Sequence, residues 1–291
     1  MSSLMGQRMA AVLRTVTNAL GEAGIERPGL EARMLLCAAA ACDHAALIRD
    51  PDALLPPDAA TRLQAFVARR LVGEPATRIL GTRAFWTLDL IVTPDVLDPR
   101  PDSECLIEAA LDQLGSRRNL PLRILDLGTG TGALLLALLS ECPHALGIGV
   151  DLSPAACDVA RENAQLNELA SRTEIREGTW MEGLAGSFDV ILSNPPYIAS
   201  ATIADLDVGV RQYDPRLALD GGADGLSAYR DIMAALPAFL DGGFAVLELG
   251  IGQAPDVARI AAAAGLQTLA LRNDLGGVPR AIVLRKPDGQ A

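Results

Sequence analysis

"RILDLGTGTGALLLALL", residues 123–139, decides the fold. A strand over 123–128 runs into a turn holding Gly128, Gly130 and Gly132, and an apolar helix over 132–141 follows. Glycines let this turn adopt positive φ and let its backbone approach a ligand closely. In a parallel sheet the turn lies at the carboxyl edge, where ligands bind at the switch in strand order. Tight β–α turns use glycine for their own sake, so the glycines alone do not establish a site.

The spacing carries more. The pattern is G-x-G-x-G behind Asp126, not the dinucleotide G-x-G-x-x-G, and no G-K-[ST] follows, which excludes a nucleoside-triphosphate loop. A carboxylate at the strand tip suits a cofactor with a free amine and no pyrophosphate, and S-adenosyl-L-methionine is such a cofactor. Asp151 ends the next strand, where an acid can hold both ribose hydroxyls. It also reads as a cap near Ser153. Two acids and three glycines together favour S-adenosyl-L-methionine over NAD.

Outward from this stretch, strands are predicted at 123–128, 145–151, 172–177, 188–193 and 244–249, and helices at 132–141, 154–169, 225–240 and 254–264. Ser153 is a good N-cap, with Pro154 at the first helical position. That alternation predicts an α/β, doubly wound, mostly parallel sheet. "LQTLALRND" and "PRAIVLRK", joined by "LGGV", predict an antiparallel hairpin on its edge.

Upstream the chain reads as helical. Met5, Met9, Val12, Leu13, Val16 and Leu20 share one helical face; a second helix begins at Leu30, and a later one spans Asp58 to Leu71. The proline-rich "DPDALLPP" breaks the run between them. "TRILGTRAFWTLDLIVT" suggests a hairpin around Gly81. In the connector "PDVLDPRPDSE", Asp102 or Ser103 can cap a helix running to Leu114, with Gly115 as its stop.

With 291 residues, half of them hydrophobic, the chain can build a large core in one or two domains. The apolar run Ala133–Leu139 is far too short to span a membrane, and Arg8 and Arg14 interrupt the first helix, unlike a signal peptide. The expected location is cytoplasmic. Five cysteines without a C-x-x-C pair and only two histidines, His44 and His144, leave no metal-ligand spacing, and reduced structural thiols are expected. A net charge of −11 disfavours nucleic acid as the main ligand; Arg69-Arg70 and Arg117-Arg118 read as solvated helix faces.

At the end of the fourth strand stands "SNPPY", residues 193–197. A turn could be made with less. Pro195 and Pro196 stiffen the loop and leave backbone carbonyls free as acceptors, beside the side-chain oxygen of Asn194. A rigid pair of acceptors is what a planar NH₂ group needs, and Tyr197 offers an aromatic face. An amide or aromatic amine is a poor nucleophile because its lone pair is delocalised. Two acceptors on its N–H bonds orient it, and such positioning can supply several kcal/mol, up to roughly 7–11 in the best cases.

The sequence as a whole resembles the PrmC/HemK glutamine-N5 methyltransferases of class I peptide chain release factors. "GEPATRILGTRAFW", "TPDVLDPRPDSE", "DLGTGTG", "SNPPYI", "YDPRLALDGGADGL", "LELGIGQ" and "DLGGVPR" follow the family's blocks in order through nearly the whole chain. Adenine-N6 methyltransferases of nucleic acids carry an NPPY-like motif too. "PRPDSE" separates this chain from them and from the sister enzymes that methylate a ribosomal-protein glutamine. A non-catalytic protein that binds S-adenosyl-L-methionine is the remaining rival, and intact glycine and NPPY motifs count against it.

The resemblance implies a class I methyltransferase fold, with a Rossmann-like seven-stranded sheet and an antiparallel edge hairpin, behind a small N-terminal helical domain. It divides the chain into a substrate-docking domain over 1–75, a hairpin and linker over 76–100, and a methyltransferase domain over 101–291. It implies methyl transfer from S-adenosyl-L-methionine, leaving S-adenosyl-L-homocysteine, to the glutamine of a release factor's Gly-Gly-Gln (GGQ) loop, with no direct nucleic acid and no membrane partner. Asp126, Leu127, Gly128, Thr129, Gly130, Asp151, Trp180 and Asn194 would bind the cofactor, with Trp180 beside the adenine. Asn194, Pro195, Pro196 and Tyr197 would hold the glutamine, with Asn194, Pro195 and Tyr197 as the catalytic set. Where many relatives have an acid before that tryptophan, this chain has Thr179. Arg100 and Glu104 read equally as an ion pair or cap and as substrate contacts. Asp214 and Arg216, in the long segment 198–222, read as supporting structure.

Overall fold

Along the central strands, apolar side chains alternate between two faces, and a layer of helices covers each. The computed structural model describes residues 4–274 and 276–287 and divides into two units, Met1–Gly81 with Val208–Tyr213, and Thr82–Asp207 with Asp214–Ala291. Leu275, in the "LGGV" turn, lies outside the described residues.

The first unit is helical: α1 (Met9–Glu22), α2 (Pro28–Ala40), α3 (His44–Arg49), α4 (Pro57–Leu71) and α5 (Ala76–Leu80). Val12, Val16 and Leu20, each one turn apart, bury the stripe of α1 in a core with Leu35 and Leu36 of α2 and Leu63 and Val67 of α4. Pro28 and Pro57 stand in first turns, where the missing N–H costs nothing. Met5 precedes α1 and is exposed, so the stripe begins at Met9. Arg69 pairs with Glu74 and Arg70 with Glu31, so this basic doublet forms no free patch.

α5 ends at Gly81 with φ 71°. The glycine expected at the hairpin's bend is therefore a helix cap. The hairpin, β1 (Thr82–Phe85) with β2 (Leu88–Ile91), turns at Trp86 and Thr87, and Trp86 takes φ 55° where glycine is usual. Trp86 is held there by its backbone N–H, which donates to Glu104 Oε1 at 2.9 Å, and by its indole N–H, which donates to Glu141 Oε1 at 2.8 Å.

The second unit continues with α6 (Glu104–Leu114), β3 (Arg123–Leu127), α7 (Ala133–Glu141), β4 (Leu146–Asp151), α8 (Pro154–Leu166), β5 (Thr173–Glu177) and β6 (Val190–Ser193). After α9 (Val208–Tyr213), which belongs to the helical unit, come α10 (Ser227–Ala235), β7 (Phe244–Glu248), α11 (Ala254–Ala263), β8 (Gln267–Asn273) and β9 (Pro279–Arg285). The sheet order is β5-β4-β3-β6-β7-β9-β8, parallel from β5 to β7, with β9 antiparallel to both β7 and β8. The expected doubly wound sheet with its edge hairpin is present. It is the fold of the class I methyltransferases. Ile124, Val190, Leu192 and Val246 face α6 and α7, whereas Leu125, Ile191, Ala245 and Leu247 face α10 and α11. Near-continuous apolar strands follow from burial on both faces.

Two details depart from expectation. Neither Asp102 nor Ser103 caps α6 with its side chain; a 3₁₀ turn, Pro101–Ser103, leads in, and the Ser103 hydroxyl is used elsewhere. The helix expected over 225–240 ends at Ala235, and a 3₁₀ turn holding Pro237 follows, because proline lacks the N–H that would continue the ladder. No helix among the described residues is long and apolar enough to cross a membrane.

Gly243 enters β7 so close to β6 that a Cβ there would lie 2.2 Å from the Phe188 carbonyl oxygen and 2.9 Å from that of Asp189. Backbone cannot yield as a flexible side chain does. Gly243→Ala is expected to cost about 2 kcal/mol or more, read as a lower midpoint in thermal or urea unfolding; an unchanged midpoint would refute the close approach.

Candidate active site

A cavity of about 370 Å³ opens at the carboxyl edge of the sheet, a size common for small-molecule sites. The glycine turn supplies Asp126, Gly128, Thr129 and Gly130, β4 supplies Asp151, and the loop after β5 supplies Thr179 and Trp180. Asn194 and Pro196 follow from β6. Phe85, Val96, Leu97 and Leu217 complete apolar walls that the sequence reading did not assign. Leu127, Pro195 and Tyr197 do not line the cavity: Leu127 is wholly buried in the sheet, Pro195 is buried, and the Tyr197 ring packs on the core below.

Gly128, Gly130 and Gly132 all have positive φ, at 70°, 54° and 81°. The turn they permit aims the Gly130 N–H at Asp151 Oδ2, 2.8 Å away. Asp151 Oδ1 accepts from the Ser153 N–H at 2.9 Å, so the acid fastens two loops while retaining acceptor capacity toward the cavity. Trp180 has φ 49°, unusual for a bulky residue, and its ring edge lies 3.7 Å from where a Cβ on Gly128 would stand.

Asp126 is almost wholly buried. Its Oδ2 accepts from Thr129 Oγ1 at 2.6 Å, and its Oδ1 has no hydrogen-bond partner among the described residues. Burial pushes this carboxyl up to about 7, against the pull of the Thr129 hydroxyl and the Leu135 N–H, and the nearby Asp151 adds to the rise. An unpartnered buried carboxylate oxygen lining a cavity is a place for a cationic group.

The second half of the site is a chain of polar groups. Asn194 Nδ2 donates to Ser103 Oγ at 3.3 Å, Ser103 Oγ–H donates to Glu248 Oε2, and Tyr197 Oη–H donates to Glu248 Oε1 at 3.0 Å. Asn194 Oδ1 makes no hydrogen bond among the described residues. Glu248, at the tip of β7, is almost wholly buried; burial raises its carboxyl, opposed by the two hydroxyl donors and by Arg280. Burial followed by the Glu248 charge holds the Tyr197 phenol protonated. The loop's exit is clamped by Gln253, whose Nε2 donates to the carbonyls of Tyr197 at 2.9 Å and Gly225 at 3.3 Å.

Asn194 and Asp151, expected as acceptors, both line the cavity, whereas Ser103, Glu248 and Gln253 were not read as site residues. An acid closing the apolar strand "FAVLE" at the ligand edge was the available signal. Arg100 is taken up by structure, pairing with Asp214 at 2.5 Å, and Arg216 pairs with Asp220 at 3.0 Å. Glu104 accepts from Trp86.

Residues 11–81 match the family model for the PrmC N-terminal domain, and residues 102–210 that for the methyltransferase small domain. A release factor glutamine methyltransferase of Rhodospirillum rubrum is 45% identical over 265 residues, 91% of this chain and 81% of that protein. One from Agrobacterium fabrum is 42% identical over 282 residues, 96% of this chain and 97% of that protein. A crystal structure of a methyltransferase from Pyrococcus furiosus, 19% identical, shares the fold with a TM-score of 0.51 over 75% of this chain and 96% of its own.

The raised Asp126 carboxyl has a consequence for stability. Its folded value of about 7 exceeds the ordinary 3.8, so the folded protein holds this proton more tightly than the unfolded chain. The cost of ionising it is absent below the ordinary value and complete only above pH 7 or so. Ligand-free Asp126→Asn is therefore expected to melt above wild type at pH 8, at roughly 2–4 °C per kcal/mol relieved, with the gap narrowing toward pH 6. A variant melting no higher than wild type at pH 8 contradicts the penalty.

Proposed function

Because this chain belongs to the release factor glutamine methyltransferases, we propose that it methylates the side-chain amide nitrogen of a release-factor glutamine. The methyl donor would be S-adenosyl-L-methionine. The observation that carries this reading is one cavity holding two acceptor oxygens that make no hydrogen bond among the described residues, Asp126 Oδ1 and the amide oxygen Asn194 Oδ1.

The residues fit such a donor. Asp126 Oδ1 suits its α-ammonium, the free lone pairs of Asp151 suit the ribose hydroxyls, and the Trp180 ring suits the flat base. When bound, the donor supplies an electrophilic methyl on a sulfonium. The protein's own task is to present the amide. Asn194 Oδ1, at the cavity wall, would accept one N–H of the glutamine and favour pyramidalisation of its nitrogen; the Pro195 carbonyl, whose residue does not line the cavity, is assigned the other N–H by the resemblance alone. Neither is spent on another hydrogen bond among the described residues. Tyr197, held protonated against Glu248, would stiffen the loop from below. A base is not needed before transfer, because alkylation acidifies the nitrogen and the proton leaves afterwards.

We further assign substrate docking to the helical unit, entry of the Gly-Gly-Gln loop to the cavity, and the cytoplasm as the setting. The acidic total and the paired state of Arg69, Arg70 and Arg117 count against a nucleic-acid groove.

The test is Asn194→Ala with isotopically labelled donor and purified release factor. Turnover is expected to fall roughly 10²–10³-fold, with donor affinity by calorimetry changed little, and the wild-type label should lie on glutamine by mass spectrometry. Near-normal turnover in the variant would falsify the acceptor grip. Label on adenine, in a parallel incubation with DNA or RNA, would replace the substrate.

A further inference from the structure

We propose that Ser103 and Glu248 set which way round the Asn194 amide sits, and thereby make the site select an amide substrate over a carboxylate. The inference rests on the amide-transfer reading above and adds to it the residues that decide the substrate's chemical class.

An asparagine amide has nearly the same shape after a half-turn about its last bond, but the half-turn exchanges an acceptor for two donors. Nothing within Asn194-Pro195-Pro196-Tyr197 decides between the two. With Oδ1 toward the substrate, Asn194 accepts an N–H and repels a carboxylate. With Nδ2 there, the preference reverses.

The neighbouring groups remove the ambiguity. A serine hydroxyl has one proton and can give it to one partner. Ser103 gives it to Glu248 Oε2, and the other Glu248 oxygen is taken by the Tyr197 hydroxyl. An ionised carboxylate only accepts, so both hydroxyls point toward it. What Ser103 has left for Asn194 is a lone pair, and only Nδ2 can answer it, as it does at 3.3 Å. Oδ1 is thereby turned away from Ser103 and left free of protein partners among the described residues.

Burial opposes the charge this requires of Glu248, and the Ser103 and Tyr197 hydroxyls and Arg280 favour it. Arg280, with its side chain 11% exposed, supports the ionised form while paired with Asp274 at 3.0 Å and within 3.7 Å of Asp102. The Tyr229 hydroxyl donates to the Glu248 backbone carbonyl at 2.7 Å and anchors the strand tip. Ser103 and Glu248 are positioning residues: they act through Asn194 and need not touch the substrate.

The test compares wild type, Ser103→Ala, Ser103→Thr and the double variant Ser103→Ala/Glu248→Gln. For each, turnover is measured on release factor, together with inhibition by release factor carrying glutamate in place of the target glutamine. Wild type should bind the glutamate form poorly. Ser103→Ala should lower kcat and narrow the glutamine-over-glutamate preference roughly tenfold or more, with donor affinity unchanged; Ser103→Thr, which keeps the hydroxyl, should restore both.

The double variant separates direction from mere neutralisation. It removes the unpaired buried charge that Ser103→Ala leaves behind, so thermal stability should recover while the preference stays lost. Recovery of the preference in the double variant would assign Ser103 a structural role only and overturn the proposal. So would an unchanged preference in Ser103→Ala. Wild-type enzyme that transfers no methyl to release-factor glutamine overturns the amide reading itself, an outcome visible before any variant is made.

Discussion

Strand β3 pairs in parallel with β6, Leu127 opposite Ser193, and the site depends on that register. The next residue on one strand is Gly128 and on the other Asn194. The glycine turn and the proline-stiffened loop therefore leave the sheet side by side, at the point where the strand order reverses. The Ser193 hydroxyl reinforces the pairing by donating to the Leu127 carbonyl at 2.8 Å. A slip of one residue would turn every β6 side chain to the opposite face and drive Asn194 into the helix layer. The alternating core, with Leu192 on one face and Ile191 on the other, forbids it.

Two buried carboxylates stand at strand tips on either side of this switch, and burial raises both. Their surroundings give them opposite roles. Glu248 has both oxygens occupied by hydroxyl donors and an arginine nearby, so it organises its neighbours and has little left for a ligand. Asp126 has one oxygen occupied and one bare among the described residues, in a cavity wall. A bare buried acceptor costs on the order of 1–3 kcal/mol, more when charged, and a fold keeps such a group where something that binds will offset the cost. Satisfied and unsatisfied acids thus distinguish the scaffold of the site from its working surface.

How much of this was legible beforehand follows from the distance over which each feature is decided. The strands and helices around the glycine turn could be read because alternation and capping are local: Ser153 and Pro154 announce α8 from adjacent positions. The bend of the hairpin could not. Trp86 occupies a position that favours glycine, and what holds it there is Glu104 and Glu141, the latter 55 residues away in sequence. Ser103 looked like a helix cap because a serine before a helix usually is one, and its actual partner, Glu248, is 145 residues away. Asn194, Asp126 and Asp151, which all line the cavity, could be singled out because each stands beside a turn signal of its own.

The Asn-Pro-Pro-Tyr run likewise underdetermines its substrate, because part of what decides it lies far away in sequence. The motif supplies a rigid loop and an amide, yet an amide is ambiguous between accepting and donating. That ambiguity is resolved by Ser103 on the lead-in to α6 and by Glu248 on β7, neither of which belongs to the motif. The prolines explain the stiffness of the loop; the orientation of its asparagine comes from elsewhere in the sheet unit. Proteins that share the run but lack a hydroxyl and an acid in these places would have to orient their asparagine by other means. The choice of planar nitrogen they act on is then a property of that surrounding network as much as of the run itself.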